Sequence, residues 1–152
     1  MPLQLTVVTA ERTVLSRNDA TRVIVPTTEG QITLLPSHAP LMASVAIGEL
    51  IAVTAAGQEA IAVHGGFLQI AHDTITILAD AAEHADDIDE ERTEAARQRA
   101  QRRLAGERVL PDESAIDMLR ARLAMERALT RLKVRRRRRG GVSGVPSMAE
   151  RG

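Results

Sequence analysis

The hydrophobic period of this chain changes once, at Asp86-Asp87, and that change sets the fold class. Before it, apolar residues recur mostly at every second position, and Gly and Pro mark the turns. After it, Ala and Arg dominate and the spacing is helical. Strand spacing followed by helix spacing predicts a β body and then helices. It argues against the alternating strands and helices of a parallel α/β sheet. Charge divides at the same place. Residues 1–87 hold 3 Arg and 10 Asp/Glu, a net of −7, whereas residues 88–139 hold 16 Lys/Arg and 9 Asp/Glu, a net of +7. The formal total of +0 therefore conceals an acidic body and a basic appendage. Such an appendage either rests on its own body or reaches for an acidic partner.

Composition removes several function classes. With 152 residues, the chain has room for one full domain and a smaller element. It has no Cys, so disulfides, thiolate metal sites and cysteine catalysis are excluded. Phe67 is its one aromatic residue, which leaves no platform for base stacking. No apolar run approaches the roughly 18 residues that span a bilayer. Met1 to Val8 does not have the pattern of a signal peptide. The expectation is an intracellular protein that meets a membrane only through an assembly.

The spacing predicts short antiparallel strands over residues 1–86, in a sandwich or barrel. Leu3, Leu5 and Val7 alternate with Gln4 and Thr6. Arg17-Asn18-Asp19 reads as a turn, and Val23–Val25 leads through Pro26 to a turn at Glu29-Gly30. Ala56-Gly57 and His72-Asp73 each read as the centre of a hairpin. Pro36 and Pro40 flank Ser37-His38-Ala39 and hold that loop extended. Gly65-Gly66, inside an apolar strand, implies a bulge or a close backbone approach. None of the four His forms a His-x-His or His-Glu-x-x-His pair, and no nucleophile elbow or phosphate loop occurs.

Residues 87–134 read as a helical hairpin. Asp87 with Glu90 resembles a capping box, Asp89, Glu90 and Glu91 suit a first turn, and Arg102 and Arg103 suit a last one. Gly106 is a stop, and Ser114 with Asp117 is a second cap. The apolar stripes are thin: Ile88, Ala96, Ala100 and Leu104 on the first helix, and Ala121, Ala124, Ala128 and Leu132 on the second. A buried methyl contributes only about 0.8 kcal/mol, so hairpin packing should be marginal and suited to two arrangements. An ordinary surface hairpin is the plain alternative.

With these residues assembled, the chain resembles the epsilon subunit of bacterial F-type ATP synthases, from about Leu3 to Val134. The resemblance rests on Leu35-Pro36-Ser37-His38-Ala39-Pro40-Leu41, Val63–Leu68, Thr76–Glu83, Ile88–Arg92 and Arg127–Val134, in the family's order. It implies a sandwich of about ten strands followed by two helices, and a rotor subunit that performs no chemistry and needs no cofactor. Its implied partners are the gamma subunit, the ring of c subunits and the catalytic alpha and beta subunits. Its implied place is the cytoplasmic face of the bacterial inner membrane, peripherally, in a proton-translocating complex. Docking onto the rotor would fall to Pro36, His38, Ala39, Pro40 and Leu41, although Ser37 stands where the family has Gly. The hairpin would inhibit ATP hydrolysis when extended, with Arg120, Arg122, Arg127, Arg131 and Lys133 facing an acidic segment of the beta subunit.

Some members also bind ATP on the folded hairpin as a regulatory ligand. The matching positions here are Glu83, Ile88, Asp89, Arg92, Arg99, Arg127 and Arg131, with Thr93 departing from the usual Ala. Arg92 and Arg99 are two helical turns apart, and Arg127 and Arg131 one turn, so each pair shares a face. Solvated arginines are the plain alternative.

Residues 135–152 begin with five consecutive arginines and continue into a Gly- and Ser-containing stretch that reads as disordered. The arginine run suits an extension of the second helix, since cations favour its C-terminal end, and it reads as solvated chain, or as extra grip on the catalytic head or on anionic lipid. Grip on the head predicts that deleting Arg135–Arg139 strengthens hydrolysis. Two other function classes stand beside the rotor reading: a nucleic-acid-binding module using the Arg-rich region, which would bind with steep salt dependence, and a His-dependent hydrolase that would need His38.

Overall fold

Alternation of apolar and polar residues builds the first strand as expected. In the computed structural model, which describes residues 1–106 and 115–141 (without the side chains of 115–117 and 138–141), Leu3, Leu5 and Val7 of β1 (Leu3–Val8) are fully buried. Six further strands follow: β2 (Thr13–Thr27), β3 (Gly30–Leu34), β4 (Leu41–Thr54), β5 (Gly57–Ala71), β6 (Thr74–Ala79) and β7 (Ala82–His84). A 3-10 turn at Ala85–Asp87 then leads to helices α1 (Glu90–Leu104) and α2 (Ala115–Gly141).

The strands run β1-β6-β5-β4-β2-β3, and β1 also pairs with β2, which closes the sheet on itself. The β1–β6 pairing is parallel, and the other pairings are antiparallel. Seven strands replace the expected ten because β2, β4 and β5 are 14 or 15 residues long. β2 gives its first half to β1 and its second to β3, while β5 gives its first half to β7 and its second to β6. Long strands that change partner enclose one core of Leu, Ile and Val, including Leu34, Leu50, Ile61, Leu68, Ile70, Ile75 and Ile77.

Arg17-Asn18-Asp19 is not a turn but lies within β2. Ala20 pairs with Leu3 and Arg17 with Leu5, so Asn18 and Asp19 together oppose Gln4, the two-against-one arrangement of a bulge. Arg17 and Asp19 meet through two 3.0 Å hydrogen bonds. The Ala56-Gly57 and His72-Asp73 hairpins are as expected. His72 and Asp73 have φ of 50° and 58°, the left-handed pair of a tight hairpin turn. Gly65-Gly66 is a close approach: a Cβ on Gly66 would lie 2.1 Å from the Leu78 carbonyl oxygen.

The first helix starts later than expected. Asp89, not Asp87, is its N-cap, and its carboxylate accepts from the Arg92 N–H at 3.0 Å. Asp87 instead closes the 3-10 turn and pairs with Arg12 at 3.5 Å. Gly106, at φ 90°, follows the end of α1 as expected. The connector at Val109–Pro111 and the cap at Ser114 lie outside the described residues. α2 runs to Gly141, seven residues past the boundary at Val134, so the arginine run extends the second helix as its position at the C-terminal end allows. Cations at a helix C-terminus favour that continuation.

α1 packs on α2, and α2 packs on β4, β5 and the 3-10 turn. The contact with the body is a small second core of Ala60, Ala62, Ala85, Ile88 and Val134. Ala121, Ala128 and Leu132 are buried as the thin stripe required, while Leu129 stays half exposed.

Candidate functional site

A cleft of about 440 Å³ opens where three elements meet. β7 contributes Glu83, the segment before α1 contributes Asp87 and Asp89, α1 contributes Arg92, Thr93, Ala96 and Arg99, and α2 contributes Arg131. Its walls come from both the body and the hairpin, so it exists only while the hairpin is docked. The spacing of Arg92, Ala96 and Arg99 lays them along one face of α1. Of the ligand positions expected from the sequence, Glu83, Asp89, Arg92, Arg99 and Arg131 converge here. Two do not. Ile88 is buried in the second core with Val134, where burial of its side chain is worth more than exposure to a ligand. Arg127, one turn earlier on α2, does not line the cleft.

The charges inside are unevenly matched. Glu83 is hydrogen-bonded by the Arg131 guanidinium, and Asp87 faces Arg12. Among the described residues, the Arg92 and Arg99 side chains have no ionic partner. Two unopposed cations on one helix face attract an anion. The Thr93 hydroxyl donates to the Asp89 carbonyl at 2.6 Å, so the departure from Ala is absorbed inside the helix.

Glu83 also touches the body. His64, nearly buried on β5, places Nε2 3.5 Å from its carboxylate. The His64 ring and, after it, the Arg131 guanidinium hold the Glu83 carboxyl below the usual carboxylate range, against the opposing effect of burial.

A second site lies farther along β4. Leu35-Pro36-Ser37-His38 is a turn closed by the His38 N–H donating to the Leu35 carbonyl at 3.2 Å. Ser37 has φ of 66°, which explains why Gly suits that position. Its N–H donates to the Asp73 carboxylate at 2.6 Å, and Nδ1 of His38 donates to the Ala39 carbonyl at 2.7 Å. Pro36 and His38 are half-buried, Ala39 and Pro40 are exposed, and Leu41 opens β4. Beside this loop, Met42, Phe67 and Leu78 are exposed at 73%, 62% and 57%. Phe67 pairs with both Ser44 and Leu78, which puts these apolar side chains on one face of the sheet. Eight residues of β4, roughly 26 Å of strand, separate Leu41 from Glu49 beneath α2.

Of the residues expected to meet the beta subunit, Arg120, Arg122 and Lys133 are exposed and Arg127 is half-buried. Arg131 is occupied by Glu83. Sequence reasoning missed Glu49, His64, Asp73 and the Met42–Phe67–Leu78 face. A lone carboxylate within the apolar run of β4, in a chain with a basic appendage, was the signal for Glu49. Among the described residues, no group of three His, Asp or Glu gathers as a metal site, and no helix is long and apolar enough to cross a membrane.

Known proteins agree with this architecture. The family described as ATP synthase, Delta/Epsilon chain, beta-sandwich domain matches residues 2–85, and its long alpha-helix domain matches residues 86–135. The ATP synthase epsilon chain of Herpetosiphon aurantiacus is 43% identical over 140 residues, covering 91% of this chain and 98% of the relative. That of Symbiobacterium thermophilum is 40% identical over 131 residues, covering 86% and 91%. The fold resembles a chain in the Euglena gracilis mitochondrial ATP synthase, with a TM-score of 0.69 at 19% identity over 82% of this chain and 76% of that one. It also resembles a chain in the central stalk and c-ring of the Tetrahymena thermophila enzyme, with a TM-score of 0.57 at 12% identity over 89% and 97%. From its two matched domains and its near full-length relatives, the chain belongs to the ATP synthase epsilon-chain family.

Proposed function

We propose that this chain is a central-stalk subunit of a proton-translocating F-type ATP synthase, and that its hairpin is a conformational brake on ATP hydrolysis. It performs no chemistry. It works on the cytoplasmic face of the bacterial membrane, attached through the complex alone. Its sandwich docks on the gamma subunit and the c-ring through the Pro36–Leu41 turn and the apolar face beside it. Exposed apolar side chains grouped on one face mark an interaction surface.

The observation that carries the brake is the thinness of the hairpin's seat. Among the described residues, Val134 is the one contribution of α2 to a second core otherwise made of three alanines and Ile88. The rest of the seat is polar: Arg131 on Glu83, Arg135 on the Ala85 carbonyl and Arg137 on Glu49. Polar pairs of this kind are replaceable by water when the surfaces part. Undocking would release Arg131 from Glu83 and add it to Arg120, Arg122, Arg127 and Lys133 as a basic strip. That strip would meet an acidic segment of the catalytic beta subunit, with steering by charge and sensitivity to salt.

ATP acts in the opposite direction. Arg92, Arg99 and Arg131 hold the phosphates with charge-assisted hydrogen bonds, and Glu83 and Asp89 supply acceptors for the nucleoside. The cleft needs the docked hairpin, so any ligand in it favours docking by mass action. Isothermal titration of the isolated chain with millimolar ATP should give heat that Arg92→Ala and Arg99→Ala abolish. An absence of heat would remove the nucleotide from this reading. A short thiol-reactive crosslink between cysteines placed at Glu49 and Arg137, whose side chains meet in the docked hairpin, should raise hydrolysis by the assembled enzyme. A tethered enzyme no more active than the untethered one would refute the brake.

A further inference from the structure

The arginine run at the end of α2 was expected to be solvated or to grip another surface. Instead, its first three members each bind a different element of their own chain. Arg135 Nη1 donates to the Ala85 carbonyl in the 3-10 turn at 3.1 Å. Arg136 Nε lies 3.8 Å from Glu90 at the start of α1. Arg137 donates through Nε and Nη2 to the two carboxylate oxygens of Glu49 on β4, both at 2.8 Å. The helix period explains the division. Arg136 lies one turn beyond Leu132, on the face toward α1, and Arg137 follows Val134 on the face toward the body.

We propose that this run is an intramolecular clasp, whose principal hook is Arg137 on Glu49, and that it holds the hairpin on the sandwich. A planar guanidinium forked on a carboxylate is among the stronger and more directional ionic contacts. The Glu49 side chain is 5% exposed beneath α2. If Arg137 is removed while the helix stays down, that carboxylate is left buried without its partner, which favours lifting the helix. The clasp also explains why α2 continues past Val134: a rigid helix carries Arg137 to β4. The family's helical domain matches only as far as residue 135, so Arg136 to Arg139 lie beyond it.

The clasp deepens the brake reading, and it reverses one expectation of that reading. Loss of a grip on the catalytic head would strengthen ATP hydrolysis, whereas loss of a clasp lowers it by freeing the brake. The test uses the full chain, which has no cysteine of its own, labelled at Gln58→Cys and Leu129→Cys for distance measurement, alone and in the assembled enzyme. Arg137→Glu and Glu49→Arg should each lower the docked-to-undocked ratio about tenfold. The double exchange should restore it to within about threefold. The neutral variants Arg137→Gln and Glu49→Gln should lower it without placing a new charge under the helix, and about 0.5 M salt should shrink every difference. Unchanged distances in the single variants, or a double variant no better docked than the singles, would overturn the clasp. Deleting residues 135–139 should undock the hairpin and reduce hydrolysis. Undocking with unchanged hydrolysis would uphold the clasp and refute the brake.

Discussion

Val134→Ala isolates the apolar part of the hairpin's seat. Val134 is fully buried, and its neighbours Ala60, Ala62, Ala85 and Ile88 come from the body and the segment leading into α1. The substitution removes two methyl groups, each worth about 0.8 kcal/mol on burial. A small cavity between alanines that cannot collapse raises the cost to about 2 kcal/mol. The gain in helix propensity acts on α2 whether docked or free and so cancels. About 2 kcal/mol is roughly a thirtyfold fall in the docked-to-undocked ratio. Val134 belongs to the second core and not to the sandwich core, so the melting temperature of the sandwich should hardly move. Distance distributions between spin labels at Gln58→Cys and Leu129→Cys would read the ratio directly. A distribution within twofold of the parent would refute the view that this small core seats the hairpin. An equal loss of sandwich stability would show that the two cores fold as one.

Three other perturbations test separate parts of the structure. Gly66→Ala should destabilise the sandwich by about 3 kcal/mol or more, because φ is 121° and the new methyl would meet the Leu78 carbonyl; an unchanged urea midpoint would contradict that close approach. Ser37→Gly should stabilise the sandwich by about 0.5–1 kcal/mol by relieving a left-handed φ, a rise of roughly 3–6 °C in melting temperature that calorimetry would detect or exclude. The His64 ring, which lowers the Glu83 carboxyl most, stays beside it whether or not the hairpin is docked, so only the further lowering by Arg131 is linked to docking; that share is present above the undocked pKa and is lost as pH falls through the docked one. Acid titration of the hairpin distance should therefore show undocking that Glu83→Gln makes less dependent on pH. Identical profiles would exclude Glu83 as the titrating contact.

Much of the architecture was legible locally, because strand and helix periods are properties of neighbouring residues. Leu3, Leu5 and Val7 pointed inward as their alternation required, and Gly106 ended α1. The strand count was less legible. A strand that changes partners halfway looks like two in the sequence, since a bulge such as Asn18-Asp19 uses the same residues as a turn. The helix cap was displaced because Asp87 and Asp89 are equally good caps locally. Arg12, 75 residues before Asp87, is the contact that engages Asp87 elsewhere. For the cleft, helical spacing was enough to pair Arg92 with Arg99. It could not show that Ile88 turns into the second core, or that Arg127 stays out of the cleft.

By itself, the sequence determined a β body, a helical appendage and the opposite charges of the two, which follow from composition and from periods no longer than a helix turn; five short motifs in order carried the family resemblance. Only the tertiary structure decided where the positive charge goes. Arg131 finds Glu83, and Arg137 finds Glu49, across 48 and 88 residues of chain. Coulomb attraction says that opposite charges will meet; the placing of Glu49 on β4 and Glu83 on β7 beneath α2, and the length of α2, choose which ones do.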